Sequence, residues 1–412
     1  MDRRTFLKAA AFSVTCFGSS RLSGAQFKPA HKFKTVRIAT DGMVTIDGRR
    51  EFIQGLYILP NGRDPWRRAR EAGFNLVHVG ASSEDLAKAH EHGLYAWVSL
   101  GSISKNKRAE SQEHVRKIVT LLKEEPALLF WETEDEPTFV WKKTEVRVPA
   151  DEIIETARFI RSIDPFHPIY LNHSPTNLVS TLQEYNPGSE IVATDIYPVI
   201  PSGIREMYAL WPDGRQGDLL NSYISQVGQY VDKMRQVAGP ARAVFMVLQA
   251  FAWEHLREKD RDSKMILYPT RQQLRFMAWQ AVVHGVNGLL WWGLSYTPAD
   301  SSLWNDLESV TQELKQLENY LSAQKSSFLP KIVYHDTGHS IDRGIEYATR
   351  SAGKGVILIA VNADPNPVEV VFEGLEKFQK REVLFESRSI KNDRKTLRDF
   401  FAPFDTRIYR LS

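Results

Sequence analysis

Four carboxylates fall within five residues at Glu132, Glu134, Asp135 and Glu136, between Trp131 and Pro137. Buried together they cannot all ionise cheaply, so at least one is expected to keep its proton near neutral pH. A retained proton is what general acid catalysis requires. A solvated acidic loop would have the same composition, so the place of the cluster in the fold decides between the two. Other residues with chemistry to offer are Asp195, Gln249 and Glu254, with Tyr57, Asn172, His173, Tyr197, Trp253 and Trp292. Each falls at or just after the end of an apolar run.

Those runs define the frame. Residues 35–58 read as short strands punctuated by Asp41-Gly42 and Asp47-Gly48, both good hairpin turns. Eight apolar strands then alternate with amphipathic helices; the strands are centred on residues 52–57, 75–79, 95–100, 128–132, 169–172, 191–197, 243–249 and 288–292. One intervening helix, over 83–92, opens on a Ser cap, carries Glu84 and Asp85 in its first turn and ends at Gly93. Strands apolar on both faces pair in parallel, and eight such units over roughly 275 residues predict an α/β fold, a closed (β/α)8 TIM barrel over 35–325. From residue 326 to 412 only strands follow, at 345–349, 355–361, 368–372, 381–385 and 407–410, predicting a small C-terminal antiparallel β-sandwich. Structural support is its expected job, since it carries no chemical constellation.

In barrels of this kind the active site is built from the C-terminal ends of the strands. The acidic cluster closes the fourth of them, in the motif Asp135-Glu136-Pro137, and in this the chain resembles the superfamily of retaining glycosidase barrels, whose acid/base glutamate lies in Asn-Glu-Pro after strand four. The resemblance covers about residues 35–325 and extends to Tyr197 after strand six and Trp292 at the end of strand eight, where the family places a substrate-contacting aromatic. It implies glycoside hydrolysis with Glu136 as general acid. It also exposes a departure: the family's nucleophile is a glutamate ending strand seven, where this chain has Val247-Leu248-Gln249-Ala250-Phe251. An amide has no anionic oxygen to attack an anomeric carbon.

Three groups remain open as the second catalytic function. Asp195 would act as base for a water, giving inversion, which requires carboxyls roughly 6.5–9.5 Å apart. Asp135 would orient a 2-acetamido group, since an adjacent Asp-Glu pair resembles the substrate-assisted hexosaminidases. Glu254 would fold back into the site. Asp195 is favoured slightly over Asp135, with Glu254 behind both. Gln249 would then hydrogen-bond a sugar hydroxyl, and Tyr57, Asn172, His173, Tyr197, Trp253 and Trp292 would bind sugar by stacking and hydrogen bonding. The competing reading is a barrel that has lost its nucleophile and only binds carbohydrate; a barrel enzyme acting on something other than sugar is more distant.

The N-terminus, Met1-Asp2-Arg3-Arg4-Thr5-Phe6-Leu7-Lys8, precedes an apolar stretch from Ala9 to Phe17 and a small-residue site at Ser23-Gly24-Ala25. Residues 1–25 are therefore expected to be an export signal resembling the twin-arginine type, giving a periplasmic or secreted protein. The apolar run is too short to span a bilayer permanently, so no stable membrane insertion is expected once the signal is removed. The one cysteine, Cys16, lies inside the signal, so no disulfide, thiolate nucleophile or cysteine-ligated metal is expected beyond it. His173 lacks a second ligand at metal spacing, and Gly-rich phosphate loops, Gly-x-Ser-x-Gly and His-Glu-x-x-His are missing, so no cofactor is expected. With 53 basic against 50 acidic residues the charge is balanced and nucleic acid is an unexpected partner; a carbohydrate substrate is the expected one.

Overall fold

The structure is a computed structural model that describes residues 34–139, 145–201, 223–257, 259–299, 301–334, 344–390 and 395–412. The expected export signal and Cys16 lie outside the described residues. The chain opens with an antiparallel sheet of β1 (Val36–Ile38), β2 (Val44–Ile46) and β3 (Arg49–Glu51). Its turns are the two read from the sequence, with Gly42 at φ 83°, Asp47 at 51° and Gly48 at 80°. Positive φ at both centre positions of Asp47-Gly48 is what a two-residue hairpin demands. Val36, Val44 and Ile46 pack with Ile53, Leu76, Ile191 and Ala243, the first residues of four barrel strands, and so close the lower end of the barrel.

The barrel comprises β4 (Ile53–Leu56), β5 (Leu76–Val79), β6 (Tyr95–Ser99), β7 (Leu128–Asp135), β8 (Ile169–His173), β9 (Ile191–Ile196), β10 (Ala243–Gln249) and β11 (Gly288–Trp292). Every neighbour pairs in parallel, and β11 returns to β4 to close the ring. Outside it lie α1 (Pro65–Glu71), α2 (Ser83–Glu91), α3 (Arg108–Leu122), α4 (Ala150–Ile163), α5 (Val179–Gln183), α6 (Gln226–Ala238), α7 (Arg271–His284), α8 (Ser302–Gln316) and α9 (Glu318–Leu321). Local chemistry sets their ends. Ser82 caps α2 through the amide of Asp85, and Thr270 with Gln273 forms a capping box on α7, which Gly285 ends at φ 93°. Inside the barrel, Trp97, Phe130, Tyr170 and Phe245 stack with ring centres 5.3–6.3 Å apart. This aromatic layer is a solid floor, so chemistry is confined to the mouth above it.

The C-terminal region holds two antiparallel sheets, one more elaborate than the sequence suggested. β12 (Lys331–Tyr334), β15 (Val368–Glu373) and β17 (Leu397–Phe401) form one; β13 (Ile345–Ala352), β14 (Gly355–Asn362), β18 (Thr406–Leu411) and β16 (Arg381–Val383) form the other. Their facing side chains, including Leu358, Ala360, Tyr409, Val370, Phe372, Leu397 and Phe401, make a separate core. The opposite face of the second sheet is buried too: Ile357, Ile359, Val361 and Ile408 belong to the barrel's outer core with Phe276 and Met277 of α7. That double burial explains the unbroken apolar run of β14. Polar ties reinforce it, as Arg275 donates to the Thr406 carbonyl (2.7 Å) and Gln280 to Glu346 (2.8 Å). Among the described residues no helix is long and apolar enough to cross a membrane.

Candidate active site

Strand four does not run straight to its acidic end. Glu132 pairs with Tyr170 and Asp135 with Asn172, so three steps along β7 match two along β8. One extra residue is a β-bulge, and it resets which face each following side chain occupies. Strict alternation would have put Glu132 and Glu134 on the same face. Instead Glu134 is drawn to the Ser102 amide (3.2 Å) and hydroxyl (2.9 Å) and to Arg147 (3.1 Å), while Asp135 meets the side chain of Asn172 at 2.9 Å. The same Asn172 amide nitrogen reaches Asp195 Oδ1 at 3.3 Å. A single amide from strand five thus ties the carboxylates of strands four and six together.

Glu136 follows the bulge in a constrained backbone. Its φ is 47°, left-handed for a residue with a β-carbon, and its N–H donates to the Asn172 carbonyl (2.9 Å). Its own carbonyl accepts from the Phe139 amide (3.0 Å) and Arg147 Nε (3.4 Å), and the residue is 5% exposed. Such strain costs of order 1–3 kcal/mol and persists where surrounding bonds over-determine it, a condition met most often at functional sites.

The crowding of carboxylates expresses itself at Glu132. Its side chain is buried beside Trp97 Nε1, which donates to Oε2 at 3.1 Å, and beside the Ser99 hydroxyl. Burial, then the charge of Asp135, pushes its pKa up to about 8, with the Ser99 and Trp97 hydrogen bonds pulling the other way and Glu134 adding to the rise. Desolvation pushes His78 down to about 4, and its Nε2 lies 2.9 Å from the Ser99 hydroxyl. Tyr57 and Tyr170 share a 2.6 Å contact between hydroxyls, and burial raises both well above the usual phenol range. Glu132 was read from the sequence as one of four crowded acids; His78, Ser99, Tyr170 and Arg147 were not singled out. The signal for His78 and Ser99 was their place at the ends of strands two and three.

Three expectations are corrected. Gln249 is fully buried: its Oε1 accepts the Val199 amide (2.9 Å) and its Nε2 donates to the carbonyls of Val199 (2.9 Å) and Phe251 (3.0 Å). Both amide hydrogens are engaged, so it braces the loop after strand six and has no donor for a sugar hydroxyl. Glu254 does not fold into the site; at 1% exposure it accepts from the Asp262 amide (2.8 Å) and pairs with Arg257 (3.4 Å), fixing its own loop. His173 alternates with Asn172 along β8, is fully buried and packs edge-on against Tyr185, so it cannot reach a ligand at the mouth.

The aromatic residues gather on one side. Tyr197 stacks on Trp292 at 5.4 Å, Phe251 wedges against Tyr197, Trp253 and Trp292 at 5.0–5.3 Å, and Trp253 Nε1 donates to the Tyr197 carbonyl at 3.2 Å. Trp292 and Tyr57 keep part of their rings exposed, whereas Tyr197 and Trp253 are mostly covered by the others. Among the described residues no group of three His, Cys, Asp or Glu side chains could hold a metal ion.

The sequence matches no protein-family model and no curated protein. Solved structures do share its architecture. A glycoside hydrolase family 5 protein from Bacteroides vulgatus aligns over 92% of this chain and 93% of its own, with 12% identity and a TM-score of 0.56. A GH42 β-galactosidase from G. stearothermophilus covers 92% and 100% at 9% identity and a TM-score of 0.53. An α-amylase from Geobacillus thermoleovorans, complexed with acarbose, covers 88% and 99% at 10% identity and a TM-score of 0.52. The chain therefore has the fold of glycoside hydrolase barrels, an eight-stranded parallel barrel carrying a C-terminal β region.

Proposed function

We propose that the protein hydrolyses a glycosidic bond in an extracytoplasmic oligosaccharide or glycan. The observation that carries this reading is the Asn172 amide joining Asp135 and Asp195 at the ends of strands four and six, with the strained Glu136 following Asp135 and the Trp292 and Tyr197 rings stacked at the ends of strands eight and six. In it Glu136 donates a proton to the departing oxygen. Asp195 accepts a proton from the attacking water as its oxygen bonds to the anomeric carbon, giving inversion. On a 2-acetamido sugar the attacking oxygen would instead be the substrate's own, with Asp135 orienting the amide and the configuration retained. The closed hydrogen-bond ring around Gln249 favours these routes over any nucleophile on strand seven.

The test is a panel of aryl glycosides and glycans, 2-acetamido sugars included, with product configuration followed by NMR. Glu136→Gln should lower turnover of unactivated glycosides by roughly 10²–10⁴-fold while the melting transition is kept. Near-parental turnover in that variant removes Glu136 from the mechanism. If the parent binds glycans in calorimetry without ever releasing reducing ends, it is a binding module and the hydrolytic reading falls.

A further inference from the structure

We infer that Glu132 is a neutral carboxylic acid in the resting protein, its proton kept by burial beside Asp135 with one carboxyl oxygen left without a hydrogen-bond partner among the described residues. The assignment follows from burial and from the contacts the carboxyl makes. The Glu132 side chain is buried, its Oε2 meets the Ser99 hydroxyl, and that hydroxyl lies in turn 2.9 Å from His78 Nε2.

The surroundings agree. Trp97 donates to the same Oε2 at 3.1 Å, whereas Oε1 is buried with no hydrogen-bond partner among the described residues. An ionised carboxylate would leave about half its charge on that naked oxygen, a far worse burial than a neutral carbonyl. The charges that act on Glu132 most strongly are both acidic, Asp135 and Glu134 on its own strand, and the buried hydroxyls of Tyr57 and Tyr170 lie near enough to feel its charge. Arg147 is engaged by Glu134. A pKa near 8 is what this environment gives.

Glu132 is thus a positioning residue. Held neutral, it leaves Asp135 and Asp195 as the charges that share the Asn172 amide; ionised, it would set a further negative charge beneath them. This catalytic consequence rests on the glycosidase reading, while the location of the proton does not. The native state keeps the proton between the ordinary 4.5 and about 8, where the unfolded chain has lost it. Stability therefore falls as pH rises through that window and levels off above it.

Infrared difference spectroscopy of parent minus Glu132→Gln reads the proton directly. At pH 7.5 the spectrum should contain the carbonyl stretch of a protonated carboxyl, fading as pH passes about 8 and absent from the variant. Ser99→Ala removes a hydrogen bond that favours the ionised carboxyl, so its loss moves the fading to higher pH. A band missing at pH 7.5, a band that survives in Glu132→Gln, or fading moved to lower pH in Ser99→Ala would each overturn the assignment. These readouts need no substrate. A confirmed band with no glycoside turned over would keep the proton on Glu132 and remove the hydrolytic reading, and turnover without the band would do the reverse.

Discussion

His284, the last residue of α7, sits where the barrel meets the β-sandwich, and its titration should set how the whole chain's stability responds to alkali. Its Nδ1 is 3.0 Å from Asp232 on α6 and its Nε2 3.0 Å from Glu346 on β13. Against desolvation, which works to lower it, these two carboxylates raise its pKa from 6.5 to about 9. A helix C-terminus favours the cation as well. The folded protein holds a proton that the unfolded chain loses above 6.5, so the stabilisation is complete below 6.5 and disappears as pH rises through 9. The full shift corresponds to about 3 kcal/mol at 1.36 kcal/mol per unit. Two facts reduce it: the Asp232 side chain is 55% exposed, and the Nε2 contact to Glu346 is not aligned as a hydrogen bond. A value of about 1.5–2 kcal/mol is therefore expected for the titrating part. His284→Gln removes it. Urea unfolding of parent and variant at pH 6 and pH 9.5 should show a difference that is large at pH 6 and shrinks by that amount at pH 9.5. Subtracting the variant at each pH cancels Glu132, whose own effect falls in an overlapping window. A difference that stays constant across the two pH values would refute the bridge.

Two further outcomes follow from the same packing and site. Asn172→Leu deletes the donor shared by Asp135 and Asp195 at 2.9 and 3.3 Å; turnover should fall by at least about 100-fold, equivalent to about 2.7 kcal/mol, with melting behaviour preserved. Loss of only a few-fold in steady-state kinetics would take that amide out of the site. Ile359 is fully buried against the barrel on the outer face of β14; Ile359→Ala should cost about 2–5 kcal/mol and lower one shared denaturation transition. A separate early transition of the β-sandwich in calorimetry would show that the two regions unfold independently.

How much of this was legible beforehand depends on the range of the forces involved. The barrel was written in local terms: apolar runs such as Leu128 to Trp131 and Ala243 to Leu248 fit only strands covered on both faces, and the caps and hairpins at Ser82, Gly42 and Gly48 act within a few residues. β12 and β17 escaped notice because charged and exposed positions, as in Leu397-Arg398-Asp399-Phe400-Phe401, break the apolar signal of a strand whose partners are distant. The site was half legible. That acids crowd the end of strand four is composition, but the bulge that sends Asp135 to Asn172 and Glu134 to Arg147 depends on the register with strand five. Likewise nothing near Gln249 in the chain announces that Val199, fifty positions away, takes up its amide, or that β13 carries the carboxylate for His284. Periodicity fixes what can be buried, being a property of neighbours along the chain; which polar group finds which partner is decided only when segments far apart in sequence are brought into hydrogen-bond range.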